Sequence, residues 1–353
     1  MDTNYLSAEA VKSFIAKVFI GLGMPKQDAT LCAELMVRTD LSGADGHGVF
    51  RLLQYARRIK SGGINLNPQM KLLQDAPSIG LLHGDNAMGH LVMHRCAELA
   101  IAKAKVSGIG WMGCCYGNHA GAGSTYANLV SEAGLVGIYM AVGSANHMAP
   151  WGGVDPLLST NPIAISVPTN HQQAPVVLDM ATTVAAYGKV KMKAQAGEPM
   201  PIGWMIDKQG KPLTDPNRSS EGTLLPIGDY KGYGLSLMIA LLAGSMNGAA
   251  VGSQLVDFND DETAVTNTGQ TIIAVNPEFL TGFQNMTKSA NQLIDEIKSS
   301  KPLPNVSKIR VPGDGAAQAK QKRSVEGIPI PAGLLKNLHT CAELAGVEPI
   351  QLN

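Results

Sequence analysis

Aromatic residues supply only 5% of this 353-residue chain and charged residues only 16%, with 28 Lys and Arg set against 28 Asp and Glu. The densest basic stretch is Lys320-Gln321-Lys322-Arg323. Such a chain offers neither the positive field nor the stacking surface that nucleic acid or an anionic membrane requires. Cysteine is scarce too. The five (Cys32, Cys96, Cys114, Cys115 and Cys341) are odd in number, show no C-x-x-C spacing, and include an adjacent pair that cannot chelate one metal with ordinary geometry. They read as small core residues of a reduced chain, which implies the cytoplasm. The opening Met1-Asp2-Thr3-Asn4-Tyr5-Leu6 has neither the basic start nor the apolar run of a secretion signal. A long apolar span is missing as well. Residues 232–255 carry no charge, yet Ser236, Ser245, Asn247 and Gly248 interrupt them, which leaves too short a helix for a bilayer and points to a buried core helix.

What the chain does have is 45% hydrophobic residues, enough to fill two domains or one large domain with an appendage. Val11, Phe14, Ile15, Val18 and Phe19 repeat at helical spacing after a capping Ser7. A second helix is expected from Pro25 towards Leu41, and a third carries Val49, Leu52, Leu53 and Ala56 on one face until Ser61-Gly62-Gly63. A fourth runs from about Asn86 to Val106. Short apolar runs at 109–115, 136–142, 162–167, 176–178 and 271–275, bounded by Gly, Pro or Asn, suit buried strands. Helical periodicity returns over 231–245, 283–299 and 331–345, while the polar stretch from Gly313 to Glu326 reads as an exposed loop. The pattern is an α/β core flanked by helical N- and C-terminal segments.

One literal dinucleotide fingerprint occurs, Gly108-x-Gly110-x-x-Gly113, but a helix precedes it and a strand runs through it. That order reverses the Rossmann arrangement, so the match is coincidental. The cluster from Gly117 to Ser124 follows a strand and opens a helix, whose first amides can meet an anion. A tight structural turn explains it equally well, and no acid ends the next strand near Gly143-Ser144 to hold a ribose. His90 and His94 stand one helical turn apart, but with no third ligand in view and no glutamate beside His90, no metal is expected. His83 and His171 fall in polar turns and His339 on a terminal helix, where packing or surface roles are the default. His47 and His119 differ, because each lies in a glycine-rich loop where an imidazole can reach a ligand and titrate near neutrality. Arg51 follows His47 by one helical turn and points the same way. A guanidinium there could clamp a carboxylate while the histidine moves a proton. A solvent-facing arginine on an amphipathic helix is the plainer reading.

The segment Asp45-Gly46-His47-Gly48-Val49-Phe50-Arg51-Leu52, with Tyr55 and Gly62-Gly63 beyond it, resembles the opening signature of the malate/L-lactate dehydrogenase family, which is unrelated to the Rossmann lactate dehydrogenases. Gly117-Asn118-His119, Pro150-Trp151-Gly152-Gly153 leading to Thr160-Asn161-Pro162, Asp179-Met180-Ala181-Thr182, Gly228-Asp229-Tyr230-Lys231-Gly232 and Val311-Pro312-Gly313-Asp314 follow in family order, so the resemblance spans nearly the whole chain. It implies an α/β fold with a non-Rossmann nicotinamide-binding domain on a mixed sheet, here residues 116–279. The remainder, 1–115 and 280–353, would form a discontinuous helical domain for substrate binding and dimerisation. The implied activity is hydride transfer between NAD or NADP and C2 of a small 2-hydroxy or 2-oxo carboxylate, in a homodimer. Reduction of a cyclic imine carboxylate, or a catalytically inactive nucleotide-binding relative, are the alternatives. On the family's pattern His119 and His47 transfer protons and Arg51 faces the substrate carboxylate, while His147 lies in a variable segment that shapes the substrate pocket. Cofactor contacts would map to Ser144, Asp179, Met180, Ala181, Lys231, Gly313 and Asp314. The family's Asp-Ser-His-Gly reads Asp45-Gly46-His47-Gly48 here, so one hydroxyl beside the histidine is missing. That departure bears on the substrate more than on the reaction class.

Overall fold

The computed structural model describes residues 3–170 and 174–352, which leaves His171 outside the described residues. A short strand, β1 (Thr3–Leu6), leads to α1 (Ala8–Gly21), capped by Ser7, whose hydroxyl accepts from the Ala10 N–H at 3.1 Å. α2 (Lys26–Leu41) begins directly after Pro25, and α3 (Leu52–Lys60) follows the glycine-rich loop. β2 (Lys71–Asp75) and β3 (Ile79–His83) form a hairpin ahead of α4 (Gly89–Ser107). That helix starts later than Asn86 because Asp85 and Asn86 hold left-handed φ values of 50° and 55°, incompatible with its first turn.

β4 (Ile109–Gly117), α5 (Gly123–Glu132), β5 (Val136–Ala141), β6 (Ile163–Val167) and β7 (Val176–Met180) come next. After them the chain forms α6 (Tyr187–Ala196), a small hairpin of β8 (Met205–Asp207) and β9 (Gly222–Leu224), and α7 (Tyr230–Ile239). β10 (Thr268–Val275), α8 (Phe283–Ser299), α9 (Asp314–Glu326), β11 (Ile328–Pro331) and α10 (Ala332–Ala345) complete it.

The main sheet has seven strands among the described residues, in the order β2-β3-β4-β10-β5-β6-β7. Only β3 and β4 run parallel, so the sheet is mixed and not a doubly wound parallel one. Three of its strands, β2, β3 and β4, come from residues 71–117. β10 is the central strand, and its side chains alternate between two cores. Ile272 and Ala274 pack with α4 and α5, whereas Ile273 packs with Ile239 and Ala243 on the opposite face. That second layer is the uncharged 232–255 segment: α7 widens at Ala240–Gly244 and then tightens at Ser245–Asn247. Among the described residues no helix is long and apolar enough to cross a membrane. A third core joins α1, α2 and α3 to α10, and β11 pairs antiparallel with β1, so the two chain ends close on one another. All five cysteines are buried and free.

The stretch expected as an exposed loop after Gly313 is instead the helix α9. None of its residues is buried, so no apolar period announces it. Helix-forming Ala, Gln, Lys and Arg suffice, helped by the Lys322–Glu326 pair at 3.6 Å and by Arg323, which ion-pairs with Asp45 and donates to the Asp40 carbonyl at 2.6 Å.

Gly110, part of the coincidental fingerprint, has a packing reason. A Cβ there would lie 2.0 Å from the Ala100 carbonyl oxygen of α4. Gly110→Ala should therefore force α4 from β4 and cost about 1–3 kcal/mol. A lower urea midpoint is the expected result; an unchanged midpoint would contradict this packing.

Candidate active site

The last turn of α2 builds the first loop of the site. Asp40, 1% exposed, accepts the Val49 N–H at 2.9 Å, and Gly48 packs so tightly on it that a Cβ would sit 2.0 Å from Oδ1. This clamp turns the chain so that His47 faces inwards and α3 follows. Arg51 donates through Nε to the Gly46 carbonyl at 2.9 Å and through Nη1 to Asn259 Oδ1 at 3.2 Å.

The second loop, between β4 and α5, carries His119. Its neighbour Asn118 is fully buried and donates to the Asn86 and Ala87 carbonyls at 3.1 and 2.9 Å, while its own carbonyl accepts from Gln270 at 2.8 Å. The two loops converge. The rings of His47 and His119 stack 5.7 Å apart at 18°, and the Tyr55 hydroxyl lies 2.6 Å from His119 Nδ1. Phe258 closes the other side, 5.4 Å from the His119 ring. Arg58 lies 4.8 Å over the Phe258 ring and donates to the Ala264 carbonyl at 2.7 Å, and Gln54 donates to the Phe258 carbonyl at 2.9 Å, so α3 anchors this wall.

Burial, reinforced by Arg51, pushes His47 down to about 4. Burial, then Arg51, His47 and His90, holds His119 well below the usual imidazole range. Both rings are therefore neutral near pH 7, beside a permanent cation. That field suits an anion. His90 is buried edge-on against Tyr55 at 5.4 Å, while His94 sits 4.0 Å from Glu98. Among the described residues no three His, Cys, Asp or Glu side chains are grouped to hold a metal. His83 ends β3 stacked on Tyr116 at 4.5 Å rather than in a turn, and His339 is exposed on α10.

The other expected residues lie around this cluster. The Ser144 carbonyl accepts the Phe258 N–H at 2.9 Å, which places the 143–144 turn behind the wall. Asn161, fully buried with φ 20°, holds that turn: its Oδ1 accepts the Gly143 N–H at 3.0 Å and its Nδ2 donates to the Ser236 carbonyl of α7, also at 3.0 Å. His147 stacks on Tyr187 at 4.0 Å and 4°, and burial lowers it to about 4. Asp179 accepts the Ser124 N–H at 2.9 Å, so the anion at the start of α5 is the protein's own carboxylate. Met180 and Ala181 follow at the half-buried end of β7. Pro312 accepts the Val177 N–H at 3.1 Å, which lays the Gly313 turn along the same strand, where Asp314 pairs with Lys298 at 2.9 Å and accepts the Val311 N–H at 3.1 Å. Lys231 is exposed in the first turn of α7; its N–H donates to the Gly228 carbonyl at 3.2 Å, and its ammonium has no hydrogen bond or ion pair among the described residues. The Ile227 N–H donates to the Thr182 carbonyl at 3.0 Å and ties that turn to the exit of β7. Sequence reasoning had quoted Tyr55 without a role, although its spacing of four from Arg51 was a signal. Asn161 stands only within the Thr160-Asn161-Pro162 motif, and Phe258 and Asn259 give no signal.

A sequence profile described as malate/L-lactate dehydrogenase matches residues 6–339. A malate dehydrogenase of Pyrococcus abyssi is 36% identical, covering 100% of this chain and 98% of its own. An L-sulfolactate dehydrogenase of Methanocaldococcus jannaschii is also 36% identical, over 96% of this chain and 97% of its own. The solved structure of malate dehydrogenase from Pyrococcus horikoshii matches with a TM-score of 0.90 at 32% identity, covering 98% of this chain and 97% of that one.

Asp40 makes the first loop sensitive to pH. Burial, only partly offset by the Val49 N–H, pushes its carboxyl up to about 8. An unfolded aspartate titrates near about 4. The stability Asp40 contributes is thus complete below that value and is lost as pH rises through about 8. Asp40→Asn keeps an acceptor for Val49 and cannot ionise. Its Tm should fall less than that of the wild type between pH 5 and 8.5; parallel Tm curves would refute the argument.

Proposed function

The chain belongs to the malate/L-lactate dehydrogenase family and is an oxidoreductase, and from that premise we propose that it moves hydride between NAD or NADP and C2 of a small 2-hydroxy or 2-oxo carboxylate. The observation that carries the proposal is the convergence of His119, His47 and Arg51, two neutral imidazoles and one guanidinium, in a cleft walled by Tyr55 and Phe258.

Several groups fit a nicotinamide nucleotide. Lys231 offers an uncommitted ammonium at a helix N-terminus, which suits a pyrophosphate. The buried Nδ1 of His47 has no partner and suits a carboxamide. Ser144 backs the Phe258 wall, where its hydroxyl suits a nucleotide oxygen, and Asp179 has a second oxygen for a ribose hydroxyl beside Ser124. Met180, Ala181 and Gly313 supply backbone along β7, while Asp314 fixes the Gly313 turn. When bound, the nucleotide gives or takes the hydride; the protein positions the acid and manages the proton. Arg51 holds the carboxylate through Nη2 and the N–H of Nη1 that Asn259 leaves free. His119 exchanges the proton of the substrate oxygen, His47 polarises that oxygen or orients the nicotinamide, and His147 borders the substrate's far end. The proposed assembly is a homodimer, supported by Met238, Leu241 and Met246, all exposed on the outer side of residues 230–247. The five buried thiols fit the cytoplasm.

NADH or NADPH fluorescence should change on titration with the protein, and silence of both at millimolar concentration would sink the proposal. A panel of oxaloacetate, pyruvate and cyclic imine carboxylates, run with each reduced nucleotide, identifies substrate and cofactor. Arg51→Lys should chiefly raise KM for the acid, because lysine cannot form a two-pronged contact with a carboxylate. His119→Ala should lower kcat by about a hundredfold or more. If His119→Ala stays active while His47→Ala is dead, the two roles are exchanged. If both remain active, neither histidine transfers the proton.

A further inference from the structure

Two groups converge on one nitrogen of His119. The Gly121 backbone N–H points at Nδ1 from 3.4 Å, and the Tyr55 hydroxyl oxygen lies 2.6 Å from the same atom. A backbone amide can only donate, so Nδ1 carries the lone pair. The phenol must then donate as well, and the neutral ring keeps its hydrogen on Nε2. Tyr55 is fully buried, and its hydroxyl makes no other hydrogen bond among the described residues. The titratable and charged groups around it are Arg51 at the N-cap of its helix, Cys32 on α2, His90 on α4, Tyr126 on α5, Tyr139 on β5 and His119 itself, with His47 stacked behind that ring. No carboxylate is among them.

We infer that Tyr55 is a positioning residue and proton relay for His119, which presents the resting enzyme to a 2-oxo acid with the proton already in place on Nε2. The inference rests on the reading of His119 as the proton-exchanging residue. A neutral imidazole that surrendered its single N–H proton unaided would become an imidazolate, an anion about as basic as the alkoxide it served, so the transfer would gain nothing. The relay avoids that. As hydride reaches C2 of the oxo acid, the carbonyl oxygen takes the proton from Nε2, and that N–H bond breaks. The Tyr55 O–H bond breaks in the same sequence, and its proton goes to Nδ1. The ring stays neutral with its hydrogen moved from Nε2 to Nδ1, and after the product leaves, Nε2 takes a proton from water while the Nδ1 hydrogen returns to the phenolate, which restores the resting state. Oxidation of the hydroxy acid runs the same chain backwards and begins from the phenolate. Burial holds the phenol well above its ordinary pKa, which makes that starting state scarce at neutral pH. Reduction should therefore be flat across neutrality, and oxidation should climb as the solution becomes alkaline.

Three measurements test the relay. In protein labelled with ¹⁵N-histidine and free of ligands, His119 should show an unprotonated Nδ1 and a protonated Nε2. In the wild type, reduction rates in mixtures of H2O and D2O should fall on a curve, the mark of two protons in flight. Tyr55→Phe preserves the packing and should lower kcat for reduction by about tenfold to a hundredfold with little change in KM. Its isotope dependence should be linear, and its residual rate should rise towards acid pH, where the imidazolium supplies the proton. A hydrogen on Nδ1 in the resting protein, or a Tyr55→Phe enzyme with wild-type kcat and pH profile, overturns the relay alone. A wild type that turns over no oxo or hydroxy acid overturns the functional reading, and the relay with it.

Discussion

The bond between the Tyr55 phenol and the His119 imidazole joins the two halves of the molecule. Tyr55 belongs to the core that packs α1, α2, α3 and α10, whereas His119 hangs from the sheet through Asn118 and β10. Because a fully buried hydroxyl needs its partner, the helical core and the sheet are held at one spacing, and the cleft between them takes its shape from that spacing. The same helix reaches further: Arg51, Gln54 and Arg58 grip the 258–264 segment, so the wall opposite His119 is set by α3 as well.

Several turns of the chain hold strained backbone. Asn161 sits buried at φ 20°, and Tyr116, Asp229 and Asn267 hold left-handed conformations at 52°, 59° and 44°. Non-glycine residues keep such angles only where their surroundings over-determine them. Asn161 is held by Gly143 and Ser236, and the Asn267 side chain holds the Tyr116 amide at 2.6 Å. Both devices fix turns that lead into the cleft. Precision there has been obtained from polar side chains locked by the sheet rather than from an extended apolar pocket.

The electrostatics follow from what is left out. His47, His90, His119 and Arg51 approach one another, and no carboxylate among the groups that act on His119 offsets them. Desolvation keeps the imidazoles uncharged, so the only permanent charge in the cluster is the guanidinium. An incoming carboxylate meets a single cation and rings that can donate or accept without first losing a charge.

Several features were legible in the sequence because their causes are local. Apolar periodicity and a capping serine announce α1, α8 shows its period over its whole length, and short apolar runs between Gly, Pro or Asn breaks announce β4, β5 and β10. The spacing of His47 and Arg51 pairs them in the sequence, although His47 lies in the turn before Val49–Arg51 and the regular helix begins only at Leu52. Where the cause is not local, the sequence is silent. β2 is exposed at every position and exists because β3 lies beside it, and α9 has no buried face to impose a period. Arg51 meets Asn259 across 208 positions, and Tyr55 meets His119 across 64. The kinds of group in the site were written in single turns of chain, whose energetics extend over three or four residues. Which atom of His119 the phenol would face depended on how a helical core closes on a sheet, and that is decided by packing over the whole molecule.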